Sequence, residues 1–442
     1  MTRWTLFLVI GGCGSAHVGA HPGGTSTPTR HDGGVAAVAM DVAMDDGGAV
    51  AMDDGGAVAS DNGGMAADGA TSPSDPGSMG SDDAGTAPPG PVVPPDSGPP
   101  PADPCVAQGT CPANTWVNVT PKGITIPTSG LRSVVRDPSR PSDLYLGSGE
   151  AGIWKSTDYG NTWAMINKAF GYVPQGLCFA VLPTQPTTLL VGASCACGKV
   201  HKSTDGGATF RTTGGGLISD LYSFSMDPYD INHLISGLHE HDGIAESIDA
   251  GETWHMVGTA GFPTGGISWF PTFLDTGAAN TTSKTWFAIA QNGGSPVVTR
   301  DGGNTWTIPT GLQTIQHPHG EAQIFQRQRT LFVPGVNGGA GDGVYRSTDF
   351  GATFTRVTKP IAASIAWGSP NHVYSMWAWS CFGCVIDPKF MVGSANGDTW
   401  TSPGVPKTML MGADHVAVTS DGSHYIFVAA MRSTGLWRYV EQ

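Results

Sequence analysis

The chain has 442 residues with 36 acidic and 22 basic side chains, a formal charge of −14, and 64 glycines and 33 prolines. The charge is lopsided: residues 1–104 hold 13 Asp and no Glu against Arg3 and Arg30, a balance of −11, while the other 23 acids and 20 bases leave −3. That near-neutral remainder excludes a basic nucleic-acid surface, and no later stretch is long and apolar enough to cross a membrane as a helix.

In chain order, Arg3 precedes an apolar run from Trp4 to Ile10, and Gly11-Gly12-Cys13 follows. A short charged start, an apolar run and small residues read as a secretory signal over 1–13. Ile10-Gly11-Gly12-Cys13 resembles a bacterial lipobox, which makes Cys13 the lipid-modified first residue; an ordinary signal cleaved nearby is the other reading. Residues 14–104 are Gly, Ala, Asp, Pro and Ser with near-repeats of Ala-Met-Asp-Asp-Gly-Gly-Ala-Val. They carry too little aromatic and aliphatic surface to offset ordering entropy. The expectation is a disordered tether spanning on the order of 50 Å, on a secreted protein anchored to a bacterial outer membrane or cell surface only through its lipid.

The folded part is expected over 105–442. One eight-residue phrase recurs there: Ser156-Thr-Asp158-Tyr-Gly160-Asn-Thr162-Trp163, then Ser203 to Phe210, Ser247 to Trp254, Thr299 to Trp306, Ser347 to Phe354, and a shortened Ser394-Ala-Asn396-Gly397-Asp-Thr399-Trp400. The closing aromatics are 47, 44, 52, 48 and 46 residues apart, a period of one propeller blade per repeat. Each unit reads as short alternating strands joined by Gly, Pro and Asn, with the phrase as a turn before the fourth strand. Asp accepts backbone N–H groups there and Gly supplies a positive φ. Two fragments remain: Leu436-Trp437-Arg438-Tyr439 is a third strand without a following phrase, and Asn114-Thr115-Trp116-Val-Asn-Val119 is a phrase tail with a fourth strand. Joined, they complete a seventh blade. The fold expected is all-β, a seven-bladed propeller of four-stranded antiparallel blades, closed by pairing the N-terminal strand with the C-terminal blade, and monomeric.

The phrase resembles the Asp-box (BNR) repeat found in sialidases, xyloglucanases, sortilin-type receptors and a photosystem assembly factor, and the resemblance covers 114–442. It implies that the repeat Asp residues sit on the rim, away from the ligand face. Sialidases of the family add an Arg-Ile-Pro motif and six blades, neither of which this sequence shows. Xyloglucanases of this type set two propellers face to face, where this chain has one. The assembly factor is a single propeller that binds a partner without catalysis.

Seven cysteines follow Cys13, a usage that fits an oxidising compartment. Cys105 with Cys111 can close a small loop, Cys381 with Cys384 can staple a loop of blade six, and Cys178 can meet Cys195 or Cys197.

Propellers usually bind ligands on the face built by the loops that lead into each first strand and those joining second to third strands. His233, His372 and His424 fall on the opposite face, as solvated turn residues. The ligand face collects His239, Glu240, His241 and Asp242 from blade three, His317, His319, Glu321 and Gln323 before blade five, and Asp414 and His415 from blade seven. Arg132 and Glu150 come from blade one, and Trp377 and Trp379 from blade six. Three readings fit this cluster. His239, His241, His317 and His319 suit a divalent metal, Zn²⁺, Mn²⁺ or Ca²⁺. Acid–base chemistry on a polysaccharide, by hydrolysis or β-elimination, would use His319 and Glu321 with His239, Glu240 and His415. The third reading has the same groups only bracing long loops. Arg132, Glu150 and Asp414 are the candidate polar substrate contacts, Arg132 for a carboxylate, and Trp269, Phe270, Trp377 and Trp379 the sugar platforms. The function expected is an extracellular propeller that recognises and cleaves a glycan, with a non-catalytic binding propeller for a protein or glycan as the alternative.

Overall fold

The computed structural model describes residues 101–442 except 127–130, 132, 149–150, 169–176, 185–186, 194–199, 216, 218–220, 240, 259, 263–265, 293, 313–322, 336–341, 359–362, 378–387 and 432. There are seven antiparallel sheets, and in six of them neighbours in sequence are neighbours in space. Blade one shows the pattern: Ser133–Arg136, Leu144–Ser148, Gly152–Ser156 and Ala164–Asn167 pair in that order, with Val134 opposite Leu146, Leu146 opposite Trp154 and Trp154 opposite Met165. The only helices among the described residues are the single turns Pro104–Ala107 and Ala279–Thr282. The fold is a seven-bladed propeller, as the repeat spacing predicts.

Blade four departs slightly. Its sheet has three strands, and the fourth is reduced to one bridge in which Val298 and Thr307 exchange N–H···O bonds of 2.9 Å. Pro309 stands two residues on, and its missing N–H cannot extend the ladder.

The repeat turn is a local hydrogen-bond device. Ser156 Oγ donates to Asp158 Oδ1 at 2.8 Å and accepts from the Gly160 N–H at 2.8 Å; Asp158 accepts from the Thr162 N–H at 2.9 Å and from the Thr162 hydroxyl at 2.6 Å. The same four bonds, each 2.5–2.9 Å, recur in the next four repeats. In the shortened repeat Asn396 takes the Asp place, with Ser394 Oγ donating to its Oδ1 at 2.9 Å. Bonds from Thr209 hold the Asp205 carboxyl down at about 2. Burial works against Asp349, but its bonds from Thr353 and Ser347 also bring it to about 2. These carboxylates are spent on the turn, as expected of structural acceptors.

Neighbouring blades pack face to face through apolar clusters. Leu131, Val134, Leu144, Leu146 and Trp154 of blade one meet Ala417, Val428, Ala430 and Leu436 of blade seven. Glycine in a second strand lets the next blade come close: a Cβ on Gly147 would stand 1.8 Å from the Phe179 ring, and one on Gly237 1.5 Å from the Trp269 carbonyl oxygen.

The ring closes where the two ends of the described chain meet. Val117–Asn118 is the outer strand of blade seven, paired with Gly435–Glu441, and Ala413–Ser420 and Tyr425–Met431 complete the sheet. Trp116 fills the junction, 5.1 Å from the Tyr439 ring and 5.4 Å from that of Phe390 in blade six. Ahead of it, Asp103 is fully buried and pairs with Arg438, which is 5% exposed. Asp103 Oδ1 also accepts from Cys105 N–H at 3.0 Å and Asn161 Nδ2 at 2.9 Å, and Arg438 Nε donates to Tyr159 O at 3.0 Å. Burial lowers the Arg438 guanidinium to about 10, so the pair stays ionic at neutral pH. Composition placed Asp103 in the tether; the structure places it in the fold, because its carboxylate neutralises a cation that blade seven buries. Cys105 and Cys111 form the expected disulfide; Cys195, Cys197, Cys381 and Cys384 lie outside the described residues.

Asp103→Ala removes one partner of this pair and leaves the other charge buried. The expected cost is roughly 3–5 kcal/mol, read as a lowered midpoint in urea unfolding of the full chain, with Arg438 as the group left uncompensated.

Candidate functional site at the propeller axis

First strands of several neighbouring blades lie against one another around the axis, and residues on or just before the first strands of six blades line a cavity of about 170 Å³. Val135 and Phe179 come from blades one and two, Ser223, Phe224 and Ser225 from blade three, and Phe270 to Thr272 from blade four; Gln323, Ile324 and His415 complete the wall. The lining combines aromatic residues with small hydroxyl-bearing ones.

Two of the polar groups are committed to the ring itself. The Gln323 amide donates to Val416 O at 2.8 Å and accepts the Val416 N–H at 2.9 Å, while its own carbonyl accepts the Ala366 N–H at 2.8 Å. It joins blades five, six and seven as a short strand would. His415 Nδ1 donates to Val134 O of blade one at 2.7 Å, which sets the neutral tautomer with Nε2 as acceptor. A bulge at Asp414, the one residue between the pairs Ala413–Met431 and His415–Ala430, turns His415 to the axis and leaves Asp414 buried. Desolvation lowers the His415 imidazole to about 4.

Of the described residues picked out in the sequence, His415, Phe270 and Gln323 line this cavity. His239 is buried one layer away, its ring 4.8 Å from Tyr222, whose ring lies 5.2 Å from Phe270. His241 and Asp242 are exposed. Trp269 is not a sugar platform: it is fully buried, packed edge-on against Phe262 at 4.6 Å, and its indole N–H points to Asp242 Oδ1 at 2.9 Å. Asp414, at 4% exposure, is likewise withdrawn from any substrate in this arrangement. Trp377 is half-buried. Arg132, Glu150, Glu240, His317, His319, Glu321 and Trp379 lie outside the described residues. The metal reading therefore rests on His317 and His319 beyond the described part. Among the described residues the one cluster of three donor groups is Asp103, Cys105 and Cys111, already used by Arg438 and the disulfide.

The sequence reading missed Ser223, Ser225, Thr272 and Phe179, which lie on or beside the first strands of blades two, three and four. Of the opposite-face histidines expected to be solvated turn residues, His233 is not. His233 is buried, with Nε2 2.7 Å from Glu246 Oε1 and Nδ1 3.4 Å from Asp227 Oδ2. Burial alone would depress it, but bonds to Asp227 and Glu246 raise it to about 9. His372 contacts Glu441, and His424 Nδ1 stands 3.7 Å from Asp421. The His233 turn is thus an ion-paired joint.

The two buried imidazoles set opposite flanks of a pH profile. His415 folds with its pKa depressed, so its share of stability is present above about 6.5 and lost as pH falls through about 4. His233 folds with its pKa raised, so its share is present below about 6.5 and lost as pH rises through about 9. Melting temperature measured from pH 4 to pH 9 is expected to peak near neutral. His415→Gln should flatten the acid flank and His233→Gln the alkaline one, each by on the order of 2 kcal/mol.

No family model matches the chain. A xyloglucanase from Hypocrea jecorina (strain QM6a) is 26% identical over 256 residues, covering 53% of this chain and 27% of that enzyme. Among solved structures, the GH74 xyloglucanase from Xanthomonas campestris aligns with a TM-score of 0.52 at 16% identity, over 73% of this chain and 53% of its own. An ancestral GH74 enzyme aligns with a TM-score of 0.54 at 15% identity, over 74% and 46%. The chain thus spans about half the length of these structures and about a quarter of the Hypocrea enzyme.

Proposed function

We propose that this propeller recognises and hydrolyses an extracellular glycan at the mouth of its axial channel, and that a β-glucan of the xyloglucan type is its substrate class. The observation that carries the reading is the 256-residue similarity to a xyloglucanase, supported by a cavity walled with rings and hydroxyls. The repeat turns support placing the chain among Asp-box propellers, and the Cys105–Cys111 disulfide suits an exported protein. Within this proposal Cys13 anchors the chain by a lipid, and His319 and Glu321 supply the acid and base.

A non-catalytic binding propeller is the second reading. One observation favours it: the single titratable group in the described cavity wall, His415, is neutral and bonded to a backbone carbonyl, a poor general acid. Incubating the full chain with xyloglucan and measuring new reducing ends separates the two. Hydrolysis should fall at least a hundredfold in Glu321→Gln, whereas retention of xyloglucan without new ends makes the protein a binder. Loss of turnover on chelation would instead bring forward the His239, His241, His317 and His319 metal set.

A further inference from the structure

We propose that the Cys105–Cys111 disulfide is a thiol–disulfide exchange site, and that its reduction by a dithiol loosens residues 103–118 from blade seven and so unfastens the ring. This holds whatever the propeller binds.

Arg438 gathers the joint. Its backbone stands opposite Val117 of the outer strand, and its side chain pairs with Asp103. Its Nη1 also donates to Cys105 Sγ at 3.1 Å and to Cys111 Sγ at 3.5 Å. A carboxylate oxygen of Asp103 and the two sulfurs lie within 4.8 Å of one another. The disulfide thus ties Asp103, just ahead of Cys105, to the segment that runs from Cys111 into the outer strand.

The bond is within reach of a small thiol. Cys105 and Cys111 are half-buried, and Ala107 to Thr110 between them are exposed. Both cysteines line a cavity of about 140 Å³ beside Val117, Asn161 and Arg438. A thiolate of the dithiol attacks one sulfur to form a mixed disulfide, and the other sulfur leaves as a thiolate. The dithiol's second sulfur then closes on its first and expels the remaining cysteine. Two electrons pass to the protein, and the protons of the dithiol go to the cysteines or to solvent. Whichever sulfur leaves first faces Arg438 Nη1, and a neighbouring guanidinium favours a thiolate.

Reduction then alters the charge balance of the joint. The oxidised sulfurs are neutral, and Arg438 pairs with Asp103. A thiolate at either sulfur is a second anion beside that pair and competes with Asp103 for the guanidinium. Asp421, whose Oδ2 accepts the Asp103 N–H at 3.4 Å, adds negative charge, while Tyr159, its phenol pushed up to about 12 by burial, stays neutral. Opening the loop also returns conformational freedom to residues 105–111. The outer strand has little else to hold it: Val117 and Asn118 in the ladder, the Asn114 N–H to Val440 O and the Val119 N–H to Leu436 O, the last two at 2.9 Å.

The test treats the full folded chain with dithiothreitol, counts thiols at Cys105 and Cys111 by alkylation and peptide mass spectrometry, and follows amide hydrogen exchange. Both cysteines should become alkylated, and exchange in the peptides carrying Asn114 and Val119 should quicken about tenfold or more. The blade-five ladder around Leu331 and Val333 should exchange as before. The double variant Cys105→Ser, Cys111→Ser should show the fast exchange without reductant and no further response to it, which separates this bond from the other cysteines. Loosening the joint and reducing the bond are reciprocally linked, so in glutathione buffers Asp103→Asn should be half-reduced at a reductant excess about threefold lower than the parent. Cysteines that stay closed under excess dithiothreitol overturn the proposal. So does a reduced chain, or a double variant, whose Asn114 and Val119 amides exchange at the oxidised parent's rate.

Discussion

Everything in this propeller depends on closing a ring of seven wedge-shaped sheets, and the closure rests on blade seven. A sheet that ended at Gly435–Glu441 would expose an unpaired edge; Val117–Asn118 covers it, across more than 300 residues of sequence. The buried Asp103–Arg438 pair makes that joint specific. An ion pair in the interior gains little over a well-packed apolar one, but it tolerates no mispairing, since either charge alone is costly to bury. The leading segment therefore docks in one place, against the first repeat turn and Asp421 of blade seven.

Closure also defines the candidate site. Once seven first strands are held around an axis, their inward residues become a wall whatever their types, and the glycines at Gly147 and Gly237 set how tightly that wall is drawn. Gln323 and His415 then stitch the wall through backbone atoms of other blades. The polar groups best positioned on the axis are in part ring fasteners.

Much of this was legible because the signals are local. Each repeat turn is made by Ser or Thr, Asp, Gly and Thr within seven residues, so its chemistry and its spacing could be read without tertiary information, and with them the blade number and the closure. What escaped is non-local. Asp103 looked like one more acid in an acidic stretch until Arg438 arrived from 335 residues away. Trp269 and Phe270 are adjacent and both aromatic, but strand alternation sends one into the interblade packing and the other to the axis, and the phase of that alternation is fixed only by the neighbouring blades. His233 sits in a turn that reads as solvated, yet Phe273 and Trp286 of the next blade close over it. The loops that lead into the first strands and those that join second to third strands carry most of the sequence-derived site residues, and their paths are not encoded by any repeat.

The shared seventh blade has a consequence for biosynthesis. During translation or export the residues of Val117–Asn118 emerge long before their partner strand, so blades one to six must form, in order, around an incomplete ring. Until Gly435–Glu441 arrives, blade one offers Leu144 and Trp154 to solvent in place of blade seven, an edge that invites association with other nascent chains. The strands of blade seven from Ala413 to Glu441 thus decide whether the blades made before them stay covered, and losing them should be far more damaging than a comparable loss from the acidic stretch before residue 100.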